Sequence, residues 1–225
     1  MQKKIKNNIE VILFDLDGTF VDTSKDMCHA LNIILKDNNF DSVAHEELKY
    51  HISKGADGII QFGFKNSIDQ IKKNQLKEDF LSIYQNSICV HTHLVDGMKE
   101  LVESIELKKI TWGIVTNKHA RFTKTILDQL GYLRRVDCLV TGDMVKKNKP
   151  DPDCLMLASR KLNKDPKNII YVGDDRRDIV AGKAAGMVTV VADFGFVLDN
   201  SVIPSWNPDY IIKEPRQLLD IINYQ

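Results

Sequence analysis

The chain has 225 residues, 43% hydrophobic and 28% charged, and its 31 basic and 31 acidic side chains cancel. That composition suits one sizeable globular core, or a core domain with a smaller one, and zero net charge argues against a nucleic-acid or membrane-surface partner. No apolar run approaches the ~20 residues that span a bilayer, and the basic start Met1-Gln2-Lys3-Lys4-Ile5-Lys6 reaches Asp15 too soon to be a signal sequence, so a cytoplasmic protein is expected.

The first element is Val11-Ile12-Leu13-Phe14, a continuous apolar run that predicts a strand buried on both faces. It ends on Asp15 and Asp17, with Gly18 and Thr19 behind. Two residues apart in extended chain, the two carboxylates point the same way. Their repulsion needs a divalent metal or a shared proton, unless this is only a polar strand end meeting solvent before a glycine turn. Beyond Asp22 the period becomes helical. Met27, Ala30, Leu31, Ile34 and Leu35 share one face, with Asp22 or Thr23 as the cap and Asp37-Asn38-Asn39 as the stop. Further helices are expected over about 43–53, 57–64 and 69–89, and no strand pattern of any strength appears before His91. From Asp96 strands and helices alternate. Strands are expected at 110–115, 138–141, 169–172, 188–191 and 210–212, and helices at 97–107, 121–130, 152–162, 178–185 and 217–222. This pattern predicts an α/β fold with a doubly wound parallel sheet and an inserted all-α domain. The expected boundaries are 1–21 with 96–225 for the core, and 22–95 for the insert.

Such sheets bind ligands at the carboxyl ends of their strands. That rule selects Asp15 and Asp17, Thr116 and Asn117, and Asp174 and Asp175 with Asp178 close behind. Oxygen ligands without His or Cys point to a hard cation, Mg²⁺ first, and Mg²⁺ commonly completes its shell with phosphate oxygens. Thr116 and Asn117, at a strand-to-helix turn, offer a hydroxyl, an amide and backbone N–H groups to a phosphate. A fixed positive charge is then needed. Lys149, in Lys146-Lys147-Asn148-Lys149-Pro150-Asp151-Pro152, is the choice because two prolines stiffen the loop after it; the other reading of that segment is a solvated lysine cluster.

Phe14-Asp15-Leu16-Asp17-Gly18-Thr19, Val115-Thr116-Asn117, Lys149-Pro150 and Gly173-Asp174-Asp175-x-x-Asp178, in that order, resemble the four motifs of the haloacid dehalogenase (HAD) superfamily of phosphohydrolases. The resemblance spans essentially the whole chain. It implies that Asp15 is a nucleophile forming an aspartyl-phosphate, and that Asp17 protonates the leaving alcohol and later deprotonates water. By the same resemblance Thr116 and Asn117 hold phosphoryl oxygens and Lys149 stabilises the nucleophile and developing charge. Mg²⁺ is held by Asp15, the Asp17 carbonyl and Asp174, with Asp175 and Asp178 supporting from behind. Gly18 lies against the substrate at the turn, and the insert resembles a cap whose loop, Lys54 and Gly55, meets the leaving group. In the stretches Ile52-Ser53-Lys54-Gly55-Ala56, Phe80 to Gln85, His91 to Gly97, Trp112 to Lys118, Lys149-Pro150-Asp151-Pro152, Gly173 to Ile179 and the Trp206 tail the sequence resembles the phosphoglycolate-phosphatase-like group of the superfamily, and more nearly bacterial N-acetylmuramic acid 6-phosphate phosphatases. The expected substrate is a small phosphorylated metabolite and the expected state a monomer or homodimer. One departure is His119, where many relatives carry proline.

A phosphosugar mutase would use the same acids but return the phosphoryl group to sugar. A phospho-receiver switch also places Asp, Thr and Lys at strand ends, but needs neither the Asp-x-Asp pair nor a large insert. His91 and His93 lack a third ligand nearby and are read as lining the return from the insert; His119 is a possible substrate contact. Trp112 and Trp206 are read as packing residues. Cys28, Cys89, Cys138 and Cys154 form no C-x-x-C pair and are expected to be reduced.

Overall fold

A computed structural model describes residues 8–65 and 68–223; the basic stretch 1–6 lies outside the described residues. The chain divides into two compact units, one running to Val21 and resuming at Leu94, the other Asp22–His93.

The opening apolar run forms β1, Val11–Phe14, with all four side chains fully buried. Burying each is worth roughly 1.5–3 kcal/mol, and only the interior of a sheet covers both faces at once. A two-residue strand, β2 (Val21–Asp22), leads into the helical unit of α1 (Ser24–Asp37), α2 (His45–Lys49), α3 (Gly55–Gly63) and α4 (Gln70–Asn86). The apolar face of α1 is buried as its spacing predicts. Its start is capped by Asp22, whose carboxylate accepts the Ser24 N–H at 2.9 Å and also the Ser24 hydroxyl, whereas Thr23 makes no side-chain cap bond. The helix expected over 43–53 is only the short α2 and a single 3₁₀ turn, Ile52–Lys54. Gly55 then adopts φ +69°, which ends that path and starts α3. The return segment is held by buried Asp26, whose carboxylate accepts the His91 N–H at 2.8 Å, the Thr92 N–H at 3.0 Å and the Thr92 hydroxyl at 2.6 Å. A second two-residue strand, β3 (His93–Leu94), pairs with β2. Neither strand is long enough to show a period in sequence.

The α/β unit continues with α5 (Met98–Leu107), β4 (Thr111–Val115), α6 (Ala120–Gln129), β5 (Cys138–Val140), α7 (Asp153–Leu162), β6 (Ile169–Gly173), α8 (Arg176–Ala184), β7 (Val188–Ala192), β8 (Tyr210–Ile212) and α9 (Gln217–Asn223). Its six strands lie in the order β5-β4-β1-β6-β7-β8, every neighbour parallel. Parallel strands need crossovers, and the helices supply them. The strand order reverses direction at β1, the place where open α/β sheets leave a crevice. Phe14 is level with Ile114 on one side and Val172 on the other, so β1, β4 and β6 deliver their carboxyl ends to the same edge. Val11, Leu13, Val115 and Tyr171 meet Cys154, Leu155 and Ala158 of α7 and Ala181 of α8 in one buried cluster. Elsewhere in the unit Phe20 stacks on Trp112 at 5.6 Å and meets Tyr132 edge-on at 5.5 Å. Trp112 is thus a packing residue, as is Trp206, which sits beside Ile179, Val191 and Ile203. All four cysteines are free thiols. No helix among the described residues is long and apolar enough to cross a membrane.

Candidate active site

Asp15 follows β1 directly, and its N–H is fixed to the Val172 carbonyl of β6 at 2.8 Å. Its side chain, 14% exposed, lies 2.9 Å from Lys149 Nζ. Asp174, just beyond β6, and Asp178, in the first turn of α8, bring oxygens that lie with one of Asp15 within 4.8 Å of one another. Lys149 Nζ also lies 2.7 Å from Asp178, so one ammonium serves two of the three carboxylates. Burial pushes Asp15 up to about 6 against the pull of Lys149. Burial, then the charges of Asp178 and Asp15, pushes Asp174 well above the usual carboxylate range. Burial opposes the charge on Lys149, but Asp15 and Asp178 outweigh it and move its pKa upward.

Each group is held from behind. Lys149 Nζ donates to Asp178 Oδ1 and to the Tyr171 hydroxyl, both at 2.7 Å. Asp178 Oδ2 accepts the Asp175 N–H at 3.0 Å, while the Asp175 carboxylate caps α8 by accepting the Arg177 N–H at 2.8 Å. Asp175 therefore acts through the helix start. Asp174 Oδ2 accepts the Phe196 N–H at 2.7 Å, and its Oδ1 accepts the Thr19 hydroxyl at 3.4 Å. Gly18 and Gly195 let these loops close on Asp174. At Gly18 the backbone has φ +82° and a Cβ would sit 2.3 Å from Asp174 Oδ2; at Gly195 it would sit 2.3 Å from Asp174 Cβ.

The two acids of the first motif part company. Asp17 turns to Lys118 Nζ at 2.9 Å, outside the Asp15–Asp174–Asp178 cluster. The repulsion that their spacing predicts is answered by two different lysines. Thr116, 2% exposed, accepts the Lys118 N–H on its hydroxyl oxygen at 3.2 Å, which leaves the hydroxyl proton for an acceptor. The Asn117 side-chain amide donates to the Lys149 carbonyl and accepts the Lys149 N–H, both at 3.0 Å, so it fastens the lysine loop. The Gly18 N–H is likewise engaged, with the Val21 carbonyl at 2.9 Å. His119 is the N-cap of α6 at φ −68°, close to the angle that proline imposes. Lys54 and Gly55 belong to the helical unit, where Lys54 lines a cleft of about 700 Å³ with Glu47, His51, Gln61 and Phe62.

Three contributors escaped the sequence reading. Lys118 directly follows Thr116-Asn117, and Tyr171 interrupts an apolar strand, where a buried hydroxyl must find a partner. The Phe196 N–H carries no signal at all, because backbone amides are the same in every sequence. A hard divalent cation suits this edge: the donors are all oxygen, and three carboxylates gather where Lys149 is paired with only two of them. Asp15 and Asp174 are the groups that would hold it: each Asp174 oxygen has a single partner and keeps a lone pair, whereas Asp178 Oδ1 is shared by Lys149 and Tyr171 and its Oδ2 is turned to the Asp175 N–H.

A parallel sheet whose switch point gathers three carboxylates and a buried lysine is the setting of a class of hydrolases to which the family match assigns this chain. The chain belongs to the haloacid dehalogenase-like hydrolase family, whose family model matches residues 12–192. It is 34% identical over 215 residues to the N-acetylmuramic acid 6-phosphate phosphatase of Pseudomonas aeruginosa, covering 96% of this chain and 95% of that one. It is also 34% identical over 207 residues to the phosphoglycolate phosphatase of Xanthomonas campestris pv. campestris, covering 92% and 93%. A crystal structure described as a predicted phosphoglycolate phosphatase from Haemophilus somnus superposes with a TM-score of 0.86 at 27% identity, over 96% of this chain and 99% of the other.

Proposed function

We propose that this phosphoric monoester hydrolase is a cytoplasmic, Mg²⁺-dependent phosphatase that acts on a small phosphorylated acid or sugar through an aspartyl-phosphate. The observation that carries the reading is the half-enclosed Asp15 carboxylate, set 2.9 Å from a buried ammonium at the switch point of the sheet. An Asp15 oxygen attacks phosphorus and the bond from phosphorus to the leaving oxygen breaks, with Asp17 giving that oxygen a proton. Asp17 then takes a proton from water as its oxygen attacks the same phosphorus, which frees phosphate and restores the Asp15 carboxylate. Lys149 and Thr116 steady the phosphoryl oxygens as charge develops. Mg²⁺, held by Asp15 and Asp174 with the Asp17 carbonyl, would supply charge neutralisation between carboxylate and phosphate. The helical unit acts as the cap and Lys54 with Gly55 as its contact to the leaving group. The relatives named as phosphatases of phosphoglycolate and N-acetylmuramic acid 6-phosphate support these as the first two substrates to try.

Measuring kcat/KM for both compounds and a panel of sugar phosphates, with and without Mg²⁺, tests the reading. A tenfold preference corresponds to ~1.4 kcal/mol of transition-state discrimination. Asp15→Asn should abolish turnover and leave the folded state intact; near-normal activity in that variant would reject the mechanism. Lys54→Ala should change the ratio between substrates more than the rate on a small aryl phosphate.

A further inference from the structure

We propose that Tyr171 is a positioning residue that aims the Lys149 ammonium at Asp15. It lies fully buried in β6, level with Leu13 of β1 and Thr189 of β7, inside the otherwise apolar run Ile169-Ile170-Tyr171-Val172. A phenol in such a run costs stability unless its hydroxyl is paired. The Tyr171 oxygen meets three groups: Lys149 Nζ at 2.7 Å, the Val115 carbonyl at 3.0 Å and Asp178 Oδ1 at 3.1 Å. Chemistry assigns the roles. An ammonium only donates, so the phenol oxygen accepts from Lys149, and its single proton goes to the carbonyl or the carboxylate, both of which only accept.

Lys149 has three protons to direct. Tyr171 and Asp178 take two, and Asp15 at 2.9 Å lies within reach of the third. Without the phenol oxygen the nearest replacement acceptor is the Val115 carbonyl, already 3.4 Å from Nζ. Turning to that carbonyl would carry the ammonium toward β4 and change its aim at Asp15. A group mounted mid-strand holds such geometry more tightly than a loop does, and a misplacement of about 1 Å can cost on the order of 100-fold in rate. The inference rests on the phosphatase reading for the roles of Asp15 and Lys149, and adds a residue that acts only through the lysine.

Tyr171→Phe removes one oxygen and keeps the ring. With p-nitrophenyl phosphate and saturating Mg²⁺, kcat should fall at least tenfold while KM stays within about twofold, a pattern that general loosening of the core would not produce. A kcat within twofold of wild type, or a loss appearing mainly in KM, overturns the proposal. A second measurement needs no turnover: ¹⁵N NMR of lysine side-chain ammonium groups. Wild type should show a protected signal that is lost in Lys149→Met, and Tyr171→Phe should shift that signal and speed its proton exchange. Absence of a protected signal in wild type, or an unchanged one in Tyr171→Phe, overturns the proposal. Should wild type hydrolyse no phosphomonoester, the phosphatase reading fails by itself and the NMR comparison still decides whether Tyr171 sets the lysine.

Discussion

Lys149 is the side chain on which the edge of the sheet depends. Among the described residues it is the cation paired with both Asp15 and Asp178, and its own side chain is 2% exposed. Removing one partner of a buried ionic group leaves the others uncompensated, typically at a cost of about 3–5 kcal/mol. Lys149→Met should therefore destabilise the α/β unit by that order in urea denaturation at pH 7–8, beyond any effect on activity. The acids carry the opposite sign. A carboxylate whose folded pKa lies above its unfolded one binds more protons folded than unfolded. Stability of the metal-free protein then falls as pH rises from about 4, the unfolded value, through the folded value. For Asp15 that window closes at about 6, and for Asp174 it lies higher. Asp174→Asn removes this cost while keeping an acceptor for the Phe196 N–H. Metal-free Asp174→Asn should melt above wild type at pH 8, with the difference shrinking toward pH 4; equal melting temperatures across that range would contradict the assignment.

At the scale of elements, the loops between strand and helix do the positioning. The turn after β4 shows how. Thr116 takes the Lys118 N–H, Asn117 ties the Lys149 loop, and His119 caps α6. The φ of His119, −68°, is already proline's angle. Substituting proline at a compatible position restricts the unfolded chain more than the folded one. His119→Pro should raise stability by about 0.4–1 kcal/mol in chemical denaturation, and a loss of stability would show that the turn needs a conformation proline forbids. In the helical unit the short length of α2 was not legible in sequence. The helical period continues through 43–53, whereas α2 closes at Lys49 and the chain tightens into a 3₁₀ turn at Ile52–Lys54, which Gly55 at φ +69° separates from α3.

At the scale of the whole molecule, a cation held at the acids of the α/β unit would link folding to metal concentration. Binding to the native state alone stabilises by about 2.7 kcal/mol at a hundredfold excess over Kd. Mg²⁺ should raise the melting transition of wild type, and Asp174→Asn should abolish most of that shift; an undiminished shift would place the metal elsewhere. The sequence by itself determined the α/β class, the strand-helix alternation, the helical insert after the first strand and the acids and lysine worth inspecting. These depend on period, turn residues and the rule that parallel sheets bind at strand ends, all of which are local or topological. Tertiary structure alone decided how those groups are shared: Lys149 with Asp15 and Asp178, Lys118 with Asp17, Asn117 with the lysine loop, and Tyr171 beneath the ammonium. Each of those partnerships joins side chains distant in sequence, so register and loop closure, which no local pattern encodes, select which cation meets which acid.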